Sequence, residues 1–224
     1  FPGLELKMKH FEPDYQHVVN AARNVEASRL PLYEHLISTG HMEKILGRPF
    51  ADLIQGDFAE KKAFFSAYCE FFKTMGYDTV SFECCIGSVM PGSGALGSHV
   101  EGVIKTRDDF ERYPWDEIPQ RFWQAYQVQF DALASVMPAG MKAIGGPGNG
   151  IFECVQDITG FESLCYIKVD DPELYGDLFS KVGETNRQIW QQFLERYSDL
   201  YCVMRFGDDL GFKSTTLLSA EDIR

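Results

Sequence analysis

Asp208 and Asp209 stand side by side after the apolar run Tyr201–Phe206 and shortly before Gly211. Paired carboxylates in such a place can bind a divalent cation, act as acid and base, or accept hydrogen bonds from N–H donors. A turn with a side-chain cap is the competing reading, since aspartate near glycine is common turn chemistry. Neighbours on an extended chain face opposite ways, so one of the two carries most of any role. Glu83, Cys84 and Cys85 end a second apolar run. Vicinal cysteines on a strand point apart and cannot easily ligate one metal; packed thiols beside a solvent-facing Glu83 are the first reading, and Glu83 or Cys84 facing the mouth to reach a substrate is the alternative. Glu34 and His35 end a third run, and again only one of them can face inward. Histidine is the usual ligand or proton carrier near neutral pH, though a lone one is more often a hydrogen-bonded structural residue. His10, His17, His41 and His99 have no partner at ligand spacing and read as surface or loop residues.

Gly145-Gly-Pro-Gly-Asn-Gly150 has the look of a phosphate cradle. It lacks the G-K-[ST] of a P-loop and the G-x-G-x-x-G spacing, and its proline removes an N–H that a cradle would use. A tight strand-to-helix turn is the better expectation, with Glu153 placed to point back from the following helix. No G-x-S-x-G nucleophile elbow is present.

The elements that must position these residues alternate. Asp14–Asn24 reads as a short helix, and Arg29–Leu36 as a first strand. Asp57 with Glu60 three residues later is a helix-start signature, and the helix it opens carries Phe64, Phe65, Tyr68, Phe72 and Met75 before stopping at Gly76. Asp78–Cys85 is the second strand, rich in β-branched and aromatic residues. Residues 87–102 form a glycine-rich loop, and long loops in compact domains are usually functional. A helix over 119–137, a third strand at Met141–Gly146, a long helix opened by Asp171-Pro172-Glu173 and a fourth strand at Leu200–Phe206 complete the order. Strands alternating with helices imply parallel β/α units with right-handed crossovers. Long loops after the strands point to the C-terminal mouth of a (β/α)8 barrel, a fold of roughly 250 residues. The expectation is an α/β chain holding the first four units of such a TIM barrel, with residues 1–28 as an N-terminal helical segment and 29–224 as the first half of the barrel domain. The second half would lie beyond Arg224. The chain opens on Phe1, and Met8 is a conceivable start.

Composition bounds the function. The formal net charge is −12, from 33 acidic and 21 basic residues. That argues against nucleic acid and against an anionic membrane surface as partners. Apolar runs break well before the length of a membrane span. The six cysteines form no C-x-x-C, and with no leader visible they suggest reduced thiols in a cytoplasmic protein.

In order and spacing, the chain resembles the uroporphyrinogen decarboxylase superfamily, which includes corrinoid (cobamide)-dependent methyltransferases. The segments that carry the resemblance are His17-Val-Val-Asn-Ala-Ala-Arg-Asn24 before Arg29-Leu-Pro, Gly76-Tyr-Asp-Thr-Val-Ser-Phe82, Ile104-Lys-Thr-Arg-Asp-Asp-Phe110, Gly146-Pro-Gly-Asn-Gly-Ile-Phe-Glu153 with Thr159-Gly-Phe-Glu162, Asp170-Asp-Pro-Glu173, and Gly207-Asp-Asp-Leu-Gly211 with Leu218-Ser-Ala-Glu-Asp222. The family fold is a (β/α)8 barrel, of which the match covers the first four strands. The departures are as informative. Where the decarboxylases, lyases of porphyrin biosynthesis, carry an arginine-bearing Gly-Arg-Tyr for their polycarboxylate tetrapyrrole, this chain reads Tyr33-Glu-His-Leu-Ile-Ser38. The family's pyrrole-binding aspartate falls at Glu83 or Cys84, its tyrosine near Glu153 and its serine near Asp208, so no decarboxylase residue keeps its identity.

The resemblance therefore implies an enzyme nearer the methyl-transfer branch, moving methyl groups between a corrinoid carrier protein and a small molecule. Asp208, Asp209 and Glu83 would be catalytic, and Glu34, His35, Cys84 and Glu153 would contact substrate. Zinc would be held by ligands in the second half of the barrel. Decarboxylation of uroporphyrinogen or a smaller carboxylate, and a non-catalytic tetrapyrrole-binding module, are the rival implications.

Overall fold

A computed structural model describes residues 11–97, 100–211 and 213–222. Met8, His10 and His99 lie outside these. In chain order the elements are α1 (Gln16–Ala22), α2 (Thr39–Leu46), α3 (Phe58–Thr74), β1 (Thr79–Cys85), α4 (Arg107–Arg112), α5 (Ile118–Val136), β2 (Lys142–Gly148), α6 (Ile151–Thr159), α7 (Phe161–Asp170), α8 (Pro172–Tyr197) and β3 (Tyr201–Met204). The fold is mixed α/β with a three-stranded parallel sheet of order β1-β2-β3. Among the described residues no helix is long and apolar enough to cross a membrane.

By its internal contacts the chain divides into two compact units. One comprises residues up to 82 with 127–145 and 197–204; the other comprises 83–126, 146–196 and 205–224.

In the first unit α3 begins as its sequence dictates. Asp57 accepts the Glu60 N–H and Glu60 accepts the Asp57 N–H, each at 3.0 Å, a reciprocal capping box. The helix buries Phe64, Phe65, Tyr68, Phe71 and Phe72. Phe65 meets the strand residue Phe82 edge-on at 4.8 Å, and Phe82 meets Phe130 at 5.7 Å. Burying one such ring is worth roughly 1.5–3 kcal/mol. β2 pairs with β3 through Ala143↔Tyr201, Ile144↔Val203 and Gly145↔Met204, with an irregularity after Ala143.

The strand expected at 29–36 does not form: this stretch is coil, with Leu30 and Leu36 more than 80% exposed. Proline at 31 removes a ladder donor, and the segment is held by side chains instead. Arg29 pairs with the buried Asp78, and the Ser81 hydroxyl donates to the Glu34 carbonyl. Among the described residues three strands stand where four were expected.

In the second unit α6 buries Phe152, Cys154, Val155, Ile158 and Thr159, and α8 buries Leu174, Leu178, Val182 and Ile189. The loop after β1 is pinned onto α6. Asp157 Oδ1 accepts the N–H groups of Gly94 (2.8 Å) and Leu96 (3.0 Å), and the Ile158 carbonyl accepts those of Val103 and Ile104.

Candidate functional site

The second unit gathers the chain that follows all three strands. The Ile86 N–H donates to the Gly148 carbonyl at 3.1 Å, and the Gly87 N–H donates to Asn149 Oδ1 at 3.1 Å. Asn149 itself has a left-handed backbone, φ 70°, which asparagine tolerates better than most residues. β2 runs on to Gly148, two residues past the expected end, so of the turn expected over 145–150 only Asn149 and Gly150 stand between the strand and α6 at Ile151.

Helix α6 has glycine at its N-cap and so no side chain of its own to satisfy the first free N–H groups. Asp208 supplies one from 55 residues away. Its Oδ2 accepts the Phe152 N–H at 2.9 Å and its Oδ1 accepts the Glu153 N–H at 3.0 Å. Glu153 folds back to accept the Gly150 N–H at 3.2 Å. Gly150 is required here by close approach, since a Cβ would fall on the Asp208 carboxyl group. This N-terminus already holds its anion, and that anion is the protein's own.

Glu83 lies against the backbone of Gly148, where a Cβ would come within 2.5 Å of its carboxylate. It pairs with Arg205, Nη1 to Oε2, at 2.9 Å. No sequence motif singles out Arg205. Its signal was available all the same: a lone cation between a strand and two aspartates. Asp209 is exposed, whereas Asp208 is half-buried. The adjacent pair therefore divides as alternation requires, one member fixed and one in solvent.

The thiols nearby are muted. Burial, with Cys85 and Glu83 beside it, pushes the Cys84 thiol well above its ordinary pKa. Burial and then the carboxylates of Glu83 and Glu153 raise that of Cys85, against an opposing pull from Arg205. Burial also raises Cys154, with Asp208 and Glu153 adding to it. Thiols held protonated at neutral pH are neither nucleophiles nor ready metal ligands. Among the described residues no group of three or more His, Cys, Asp or Glu side chains could hold a metal ion. These residues do not fit a zinc centre.

Glu34 and His35 belong to the first unit, on exposed coil. His35 Nδ1 lies 3.5 Å from the Tyr33 hydroxyl. Of the predicted site residues, the second unit brings together Glu83, Cys84, Glu153, Asp208 and Asp209, and adds Arg205 and Asn149. Comparison with protein-family models, with curated proteins and with solved structures finds no match.

Proposed function

We propose that this chain forms part of a (β/α)8 barrel enzyme of uroporphyrinogen decarboxylase type. It would act on a small molecule in corrinoid-dependent methyl transfer, with Glu83, Arg205 and Asp208 at the substrate end. The observation that carries the reading is the convergence, in one unit, of charged residues from the end of β1 and from the chain after β2 and β3. In parallel β/α folds chemistry gathers at the carboxyl ends of the strands. The consecutive order β1-β2-β3 is also what a barrel requires, each strand neighbouring the next.

Charge favours methyl transfer over tetrapyrrole decarboxylation. The second unit sets Glu83, Glu153, Asp208 and Asp209 against one guanidinium at the strand ends, that of Arg205, which pairs with Glu83. At an effective dielectric of 20, each like-charge pair brought to 4 Å costs about 4 kcal/mol. A substrate with many carboxylates would meet that cost repeatedly, and a small acceptor would not. In this reading the chain's own residues bind and orient the small molecule, and the corrinoid would supply the methyl group to it or take one from it.

The test is to incubate the full-length protein with methylcobalamin and a thiol such as 2-mercaptoethanol, following loss of the methyl–cobalt absorbance and measuring bound metal. Protein-dependent demethylation is expected. Absence of demethylation, together with conversion of uroporphyrinogen to coproporphyrinogen, would replace this reading with the decarboxylase.

A further inference from the structure

Arg205 follows β3 directly, and Glu83 holds its guanidinium from one side. A guanidinium presents five N–H donors in a planar fork. Among the described residues Arg205 meets no second acceptor. Its side chain is 37% exposed against 17% for Glu83, so the cation keeps open surface while its partner is more deeply set. Gly207 contributes to that opening. Any side chain there would start 2.8 Å from Nη2, a crowding that glycine avoids.

The other charged groups nearby are already engaged or turned to solvent. Asp208 is committed to the N–H groups of Phe152 and Glu153, and Glu153 to that of Gly150. Asp209 is exposed. None of them takes the free edge of Arg205.

We propose that Arg205 binds a single carboxylate of a small substrate, with Glu83 as the positioning residue that fixes the guanidinium. The planar fork matches a carboxylate with two parallel N–H···O bonds, which an ammonium cannot reproduce. With one cation among several carboxylates, the site suits one anionic group and rejects a polyanion. The inference rests on reading this cluster as a substrate site, and it narrows the substrate to a monocarboxylate.

Propionate serves as the probe, propionamide as its uncharged counterpart and citrate as the polyanion. Each is titrated into the full-length protein while NMR follows the Gly207 amide and the Arg205 Nε–H. Propionate gives a saturable shift, propionamide gives none, and citrate binds more weakly than propionate. R205Q weakens propionate binding about 10- to 100-fold, the usual range for losing a hydrogen bond to a charged group. R205K keeps the charge and a partner for Glu83, so it preserves the fold yet loses most of the affinity. E83Q retains binding within a few-fold.

If Arg205 is only the counterion of Glu83, propionate produces no saturable shift in the wild type or in E83Q, and the proposal falls. Tighter binding of citrate would overturn its single-carboxylate part. Binding is read without turnover, so the two readings separate. Propionate bound at Arg205 with no methyl transfer refutes the reaction alone, and methyl transfer with propionate silent refutes the Arg205 assignment alone.

Discussion

Replacing Asp208 by alanine removes the side chain that caps the Phe152 and Glu153 N–H groups of α6, whose own N-cap residue is Gly150. Two N–H···O bonds of 2.9 and 3.0 Å are lost. Losing an N-cap costs about 0.5–2 kcal/mol, and losing a negative charge beside a helix N-terminus costs about 0.3–1 kcal/mol more. The sum is about 1–3 kcal/mol. For a chain of this length each kcal/mol moves the melting temperature by about 2–4 °C, so D208A should melt roughly 4–8 °C below the wild type for a loss near 2 kcal/mol. D208N keeps one acceptor oxygen but not the charge, and should lose about 1 kcal/mol or less. Thermal melts and urea titrations followed by circular dichroism measure both, and the order wild type, D208N, D208A is the discriminating result. A D208A protein with an unchanged midpoint would show that the carboxylate carries no capping energy and would return Asp208 to a purely chemical role.

Gly150→Ala places a Cβ on the Asp208 carboxyl group, so it should destabilise the wild type but add little to D208A; a double-mutant cycle should give a coupling of about 0.5–3 kcal/mol. Lys168 and Ser219 hold the Asp222 carboxyl down to a pKa of about 2. A depressed carboxylate stabilises the fold above its unfolded value near 4 and loses that contribution as pH falls through 2. Acid titration of stability should therefore show a component between about pH 4 and pH 2 that is absent in D222N. Of the cysteines, Cys165 is exposed, whereas Cys69, Cys84 and Cys154 are buried and burial pushes the Cys69 thiol up to about 12. Native protein should show one fast-reacting thiol with a disulfide reagent, lost in C165S, with the buried three reacting only on unfolding.

Local signals were read well from the sequence, and remote ones were not. The Asp57–Glu60 capping box and the Asp171-Pro172 start are chemistry confined to four residues, and the helices begin where they say. A comparable signal went unused at Thr106 and Asp109, whose side chains make the same reciprocal bonds at the start of α4. Helix α2 has little to read: glycine stands in its first turn, and only Met42 is buried. The stretch at 29–36 had the apolar content of a strand, but Pro31 and its side-chain tethers decide otherwise. At the site, Asp208 was legible as a residue to watch, while its use as a cap was hidden because the helix it serves lies 55 residues earlier. The Glu83–Arg205 pair spans 122 residues and has no local pattern at all.

That pair also changes the thermodynamics of anything that docks beside it. A free arginine side chain loses up to about 1.5–2 kcal/mol of rotamer freedom when it is fixed. Here Glu83 restricts the guanidinium during folding, before a ligand arrives, so that entropy is charged against stability and spared from binding. E83Q, whose affinity stays within a few-fold, should then show a less favourable binding entropy in calorimetry. The carboxylate would be contributing to recognition without touching what is recognised.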